Sequence, residues 1–309
     1  MADRKPRELA CALHLGDILD GFCPKARRAA APARNSGLTT QRAAQDESEA
    51  ALRRVLDAFD TLPCRTHHCL GNHCLYNLPR ATLNERLAIP QGAGGESYYS
   101  FCPHAGFRVV MMDSYDVSVL GWPEGHPHRE LAVALLAEHN PNANKNSPEG
   151  LAGLQRRFVA FGGGVSAAQL AWLREQLAAA SAAGERVFVC GHLPVHPDAC
   201  AAVCLLWNYD EVLAELRAAR CVVATLAGHT HRDGHCVDDA GVHHRVLASV
   251  LECPPGSNAY GHIDVWPDAA RLRGVGHMAS THLPFRSLQP PAAEDAILDE
   301  FAALAVEKP

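Results

Sequence analysis

Four short stretches of the chain carry residue types that bind metal ions, and each follows an apolar run and a glycine: LGDILD at 15–20, LGNHCLYN at 70–77, CGHLPVHP at 190–197 and LAGHTHRDG at 226–234. Taken singly, a Gly-Asp or a His-x-His is an ordinary surface turn. Four of them in one chain, each at the end of an apolar run, ask for a common cause. Glycine lets the backbone bend sharply enough that the next side chain points into a shared crevice at the strand ends. The candidates are Asp17, Asp20, Asn72, His73, His192, His229 and His231. Carboxylate, amide oxygen and imidazole together suit Mn²⁺, Fe²⁺ or Zn²⁺ rather than Ca²⁺, and the oxygen donors are compatible with Mg²⁺. Two such ions, roughly 3.5–4 Å apart, clamp a phosphoryl group for in-line attack. The expected chemistry is hydrolysis of a phosphoester or phosphoanhydride.

Those turns must be held by strands. Short β-rich apolar runs occur at 9–15, 67–70, 98–101, 107–112, 186–190, 221–227, 243–251 and 261–266, alternating with helical patterns. That alternation predicts an α/β or α+β layered architecture. Helices are predicted at 47–59, where Leu52, Val55, Leu56 and Phe59 repeat at helical spacing, and at 167–180, preceded by Ser166 with Gln169 three residues later as a capping box. Asn208 with Glu211 forms a second such start. Residues 24–45, Ala/Arg-rich and then polar, read as a flexible surface loop. The domain is expected to span 1–286, with 287–309 a Pro-rich linker into an amphipathic helix bearing Ile297, Leu298, Phe301 and Leu304.

Composition excludes several partners. At 309 residues, 48% apolar and 20% charged, the chain can bury a full core, and a net charge of −6 offers no basic field for nucleic acid. No apolar stretch reaches the roughly 18 residues of a membrane span. The twelve cysteines form no C-x-x-C pair, and no signal peptide precedes them, so reduced thiols, a cytoplasmic location and a monomer are expected.

The order Gly-Asp-x-x-Asp, Gly-Asn-His, Gly-His-x-Pro, Gly-His-x-His resembles the calcineurin-like metallophosphoesterases. Within that superfamily the segments GNHCLYN, MDSYDVSVLG, EHNPNANKNSPEGL, FGGGVSAAQLAWL, HLPVHPDA, CLLWNY and AGHTHRDG are similar to the manganese-dependent branch that acts on ADP-ribose and CDP-alcohols. The resemblance covers about residues 9–276. It implies a four-layer sandwich of two mixed β-sheets flanked by helices, two Mn²⁺ ions, and a small-molecule nucleoside diphosphate substrate. The products implied are a nucleoside monophosphate and a phosphorylated sugar or alcohol.

Carried over by position, the resemblance makes Asp17 the bridge between both metals, with Asn72, His192 and His229 completing one site and His231 belonging to the other. His73 matches the histidine that faces the leaving group, and Asp20 would orient it. Asn140 and Asn146, in the polar loop, read either as a solvated turn or as lining of the nucleotide pocket. Asn208 and Tyr209, with Trp207, read either as base contacts or as a helix start with an aromatic anchor.

The sequence also departs from the family. Its first motif, Asp-x-His or Asp-x-Gln, has no match upstream of Asp17, where the acids are Asp3 and Glu8. The expectation is an incomplete N-terminal side of the sheet and a weakened first metal site, and with them a catalytically impaired relative as the alternative to an active diphosphatase. A metallophosphoesterase of other specificity is a third reading. Cys74 stands where this branch has Glu, and reads as core filler or as a thiol beside the metals. His67-His68 and His243-His244 read as packed strand residues.

Overall fold

The computed structural model describes residues 9–21 and 37–289, residues 37–44 by backbone only. The elements, in chain order, are β1 (Ala12–His14), α1 (Gly37–Phe59), β2 (Thr66–His68), α2 (Asn72–Asn77), α3 (Arg80–Arg86), β3 (Tyr99–His104), β4 (Phe107–Met111), α4 (Pro127–His139) and α5 (Ala167–Ala182). They continue with β5 (Arg186–Cys190), α6 (Tyr209–Ala218), β6 (Val222–Ala227), β7 (Gly234–Val237), β8 (His243–Val246), β9 (Ala259–Val265), β10 (Ala269–Gly276) and β11 (Thr281–Pro284).

The apolar runs of β5 and β6 have a direct structural cause. Both are buried along nearly their whole length, which requires cover on both faces of the sheet. They are central strands of a six-stranded mixed sheet ordered β3-β4-β5-β6-β8-β7, parallel from β4 through β8 and antiparallel at both edges. Helix α5 packs on β4 and β5 and beside α6. On β3 lies a second sheet, the parallel pair β1-β2: the His67 ring stacks on Phe101 at 3.4 Å between centroids, and the Tyr99 hydroxyl donates to the His68 carbonyl at 2.9 Å. One apolar core joins these layers, from Leu52 of α1 through Met111, Val189 and Leu213 to Leu283 of β11. His67, His68, His243 and His244 are all buried in it or beside it.

The mixed α/β architecture matches the expectation, with differences. A third sheet, antiparallel in the order β11-β10-β9, was not expected as a separate unit. Strands β7, β10 and β11 escape a search for apolar runs because each turns one side outward, so that exposed residues alternate with more covered ones and polar residues interrupt the run. The predicted flexible loop at 24–45 is corrected over 37–45, which is the start of α1; Ala43 and Ala44, with Gln41, Arg42 and Gln45, are helix formers. Residues 24–36, like the helix predicted around Ile297–Leu304, lie outside the described residues. The strand predicted at 243–251 stops at Val246. The capping box at α5 is half made: the Ser166 hydroxyl accepts from the Gln169 N–H at 3.1 Å, while the Gln169 side chain is engaged with Asp113 and Asp116.

Candidate metal centre

Parallel strands place their C-terminal ends on one side, and the four turns that follow β1, β2, β5 and β6 meet there. The junction is tight. The His192 Nδ1 lies 2.6 Å from the Leu15 carbonyl, and the Gly228 N–H donates to the His192 carbonyl at 3.1 Å, so the turns of both sheets are tied together. A Cβ on Gly71 would run into the Asp17 carboxylate, and one on Gly16 into the His192 ring. Three of the four non-glycine residues with positive φ among the described residues belong to this junction: Asp17 at 55°, His229 at 67° and His231 at 61°. Such backbone costs on the order of 1–3 kcal/mol per residue and persists only where the surroundings enforce it.

The ligand atoms converge. Asp17, His192 and His229 each bring one to within 4.8 Å of the others. His192 Nε2 is 3.2 Å from Asp17 Oδ2, 3.2 Å from Asn72 Oδ1 and 3.1 Å from His229 Nδ1, and Asn72 Oδ1 is 3.1 Å from His229 Nδ1. The carbonyl of Leu15 can only accept, so Nδ1 of His192 carries a proton, and in the neutral ring Nε2 presents a lone pair. With both rings neutral, a carboxylate oxygen, an amide oxygen and two imidazole nitrogens face one another with at most one proton among them. A cation resolves that arrangement, and the donor set fits Mn²⁺.

The electrostatics agree. Burial would raise the Asp17 carboxyl, yet the charge and hydrogen bond of His192, with His73 and His229, hold it well below the usual carboxylate range. Burial opposes protonation of His192, but Asp17 outweighs it and lifts the imidazole above its ordinary value, the sign of a group seeking positive charge. Burial and the neighbouring His192 push His229 down to about 3, so it offers a neutral ring. Burial lifts the Cys74 thiol to about 11, and the residue is core filler.

His73 joins the group through its backbone N–H, which donates to Asp17 Oδ1 at 2.8 Å. Its ring Nδ1 accepts from the Gly21 N–H at 2.7 Å and stands 3.5 Å from Asp20 Oδ1. His231 lies outside the converging set: its Nδ1 is 3.1 Å from Glu252 Oε1, and its ring is 6.4 Å from that of His73. His14 is turned away, pairing with His68 at 3.3 Å. Asn140 is fully buried; its amide nitrogen donates to the carbonyls of Lys145, Ser147 and Phe158 and its oxygen accepts from the Asn142 N–H, so both ends are engaged within the loop. Asn146 is exposed. Asn208 pairs with the backbone of Val165 through both amide ends and with Glu211, and Tyr209 lies beneath the Arg157 guanidinium at 5.3 Å.

Three contributors were not singled out from sequence. The Ser114 hydroxyl accepts from the N–H groups of His192 and Leu193, each at 3.1 Å. The Tyr115 hydroxyl donates to Asn72 Oδ1 at 3.2 Å. The Phe161 ring lies 5.9 Å from that of His229. The signal for the first two was present, because they follow the apolar run 107–112 as the other turns follow theirs, but Asp-Ser-Tyr-Asp carries no imidazole to mark it.

A layered α/β fold that gathers such donors where its parallel strands end is that of a metallophosphoesterase. Among solved structures the chain is similar to one described as a dimetal phosphatase from Danio rerio, with 33% identity, a TM-score of 0.78, and coverage of 90% of this chain and 84% of that one. No protein-family model matches. Curated relatives carry the finer distinction. Manganese-dependent ADP-ribose/CDP-alcohol diphosphatases are 45% identical over 281 residues in Oryza sativa subsp. japonica, covering 91% of this chain and 81% of that protein, and 43% identical over 273 residues in Arabidopsis thaliana, covering 88% and 81%. The Homo sapiens protein of that name is 38% identical over 281 residues, covering 87% and 76%. The chain belongs to the family of manganese-dependent ADP-ribose/CDP-alcohol diphosphatases.

Proposed function

We propose that the chain hydrolyses the pyrophosphate bond of ADP-ribose and of CDP-alcohols such as CDP-choline and CDP-glycerol, with Mn²⁺ as cofactor. The observation that carries this reading is the convergence of Asp17, Asn72, His192 and His229 with one proton at most between them, in a chain this similar to diphosphatases of that specificity. These four residues would hold one ion, with Asp17 shared toward a second that His231 would reach. A cation there supplies Lewis acidity toward the pyrophosphate and acidifies water. The protein's own part is orientation and proton placement. Because Nδ1 of His73 accepts from the Gly21 N–H, the ring proton sits on Nε2, the atom left to protonate or hydrogen-bond the departing oxygen. Asp20 Oδ1, 3.5 Å from Nδ1, lies beside the ring and would help to orient it. Phe161 beside His229, with Asn208 and Tyr209 on the adjoining wall and Asn146 at the exposed loop, would face the nucleotide.

One observation favours a second reading, an impaired relative that binds a single ion: His231 is turned to Glu252 and stands outside the converging group. Product analysis separates the two. Incubated with Mn²⁺, the chain should convert ADP-ribose to AMP and ribose 5-phosphate, and CDP-choline to CMP and phosphocholine. Metal binding without any such products would leave the single-ion reading standing. Release of inorganic phosphate from monoesters in preference to these cleavages would show another specificity. Among the described residues no helix is long and apolar enough to cross a membrane. The eleven described cysteines are all free, which supports a cytoplasmic enzyme, and we propose that it acts as a monomer.

A further inference from the structure

The turn after β4 touches two of the converging residues at once. Ser114 accepts from the backbone of His192, and Tyr115, fully buried, donates its hydroxyl proton to Asn72 Oδ1 at 3.2 Å. The turn is itself anchored. The Asp113 carboxylate takes the Tyr115 N–H at 3.0 Å and the buried Arg80 guanidinium, whose second nitrogen donates to the Tyr115 carbonyl at 2.7 Å. Gln169 pairs with both backbone groups of Asp113, at 2.9 and 3.0 Å, and with Asp116 at 3.0 Å.

We propose that Tyr115 is a positioning residue for the metal centre, fixing which end of the Asn72 amide faces the ion. An amide oxygen has two lone pairs, one for the Tyr115 proton and one for a cation. Turned by half, Asn72 would present its NH₂ to the lone pairs of His192 and His229, a comfortable arrangement for the empty site and a useless one for a metal. That turn would take the acceptor away from the buried Tyr115 hydroxyl, and a buried O–H left unpaired is costly. The hydroxyl therefore biases the amide toward the metal-binding orientation before the ion arrives. Outer-shell partners of this kind typically change metal affinity by about 10–100-fold.

This rests on the metal-site reading above, and the test keeps the two apart. Calorimetric titration of the folded chain with Mn²⁺ should show wild-type binding; its absence would overturn the site itself. Tyr115→Phe removes one oxygen and should weaken Mn²⁺ about tenfold, with turnover of ADP-ribose recovered at saturating Mn²⁺. In an Asn72→Asp background, where both ends of the side chain are oxygens, the same substitution should cost less than about threefold. Wild-type Mn²⁺ affinity in Tyr115→Phe, or an equal loss in both backgrounds, would overturn the proposal and leave Tyr115 as packing. Should Tyr115→Phe fail to fold, Tyr115→Met removes the same hydroxyl, and unchanged Mn²⁺ affinity there would overturn the proposal as well.

Discussion

At Gly71 the candidate metal centre depends on the lack of a Cβ. A Cβ at that position would occupy the space of the Asp17 carboxylate, and the backbone around Asp17, already at positive φ, has nowhere to move. At Gly228 the nearest atom to an added Cβ is the Leu15 carbonyl at 3.2 Å, which a small shift accommodates. Gly71→Ala is therefore expected to lower Mn²⁺ affinity at least tenfold while Gly228→Ala lowers it far less, as read by Mn²⁺ titration of the two folded variants. Equal affinities would show that Asp17 is not held as described. The same residues show what a sequence can disclose at this scale. Asp17, Asn72, His192 and His229 are legible because carboxylate, amide and imidazole at strand ends have few other uses. Ser114 and Tyr115 were marked only by their place after the apolar run 107–112, because a hydroxyl that serves another residue's side chain or backbone does not stand out by its type.

Among the elements, β2 and β8 bury imidazoles. His68 of β2, among His67, His14 and Phe59, is pushed down to about 4 by burial and then by His67. His244 of β8 is likewise pushed to about 4 by burial, although Asp238 pulls the other way and Arg217 and His196 stand close. For both, the unfolded chain with an ordinary histidine value near 6.5 binds more protons than the fold at any pH between about 6.5 and 4. Stability of the metal-free chain should fall across that window, each histidine contributing on the order of 1 kcal/mol per pH unit, and should be level in this respect above it. Urea denaturation at pH 7.5, 6.5, 5.5 and 4.5 measures this; a midpoint unchanged between 6.5 and 4.5 would contradict it. Burial made the central strand β5 legible. β5 was found at its observed ends because both of its faces are covered, whereas β7, β10 and β11 carry polar residues on an outer side and read as loop. Helix α1 begins at Gly37, ten residues ahead of the start predicted at Glu47, because its first turns are helical without the apolar spacing.

For the whole molecule, the order of the four turns carried the resemblance that implied two packed sheets, and the structure supplies the reason. Parallel β1-β2 and parallel β5-β6 both end at one crevice, and the bond from His192 to Leu15 closes it between them. The separate antiparallel sheet of β9, β10 and β11 could not be read from that order, since it contributes to the core through residues such as Ala270 and Leu283 and none of its strands ends in one of the four turns. The reaction proposed for this chain is a diphosphate cleavage that depends on Mn²⁺ held by the converging turns. Its most direct test is the rate of AMP release from ADP-ribose as Mn²⁺ is titrated into the metal-free chain, beside Asp17→Ala and Asn72→Ala variants shown to be folded. Turnover should rise from none to a plateau with Mn²⁺ in the wild type and drop at least a hundredfold in both variants. Turnover independent of Mn²⁺, or retained in either variant, would contradict it.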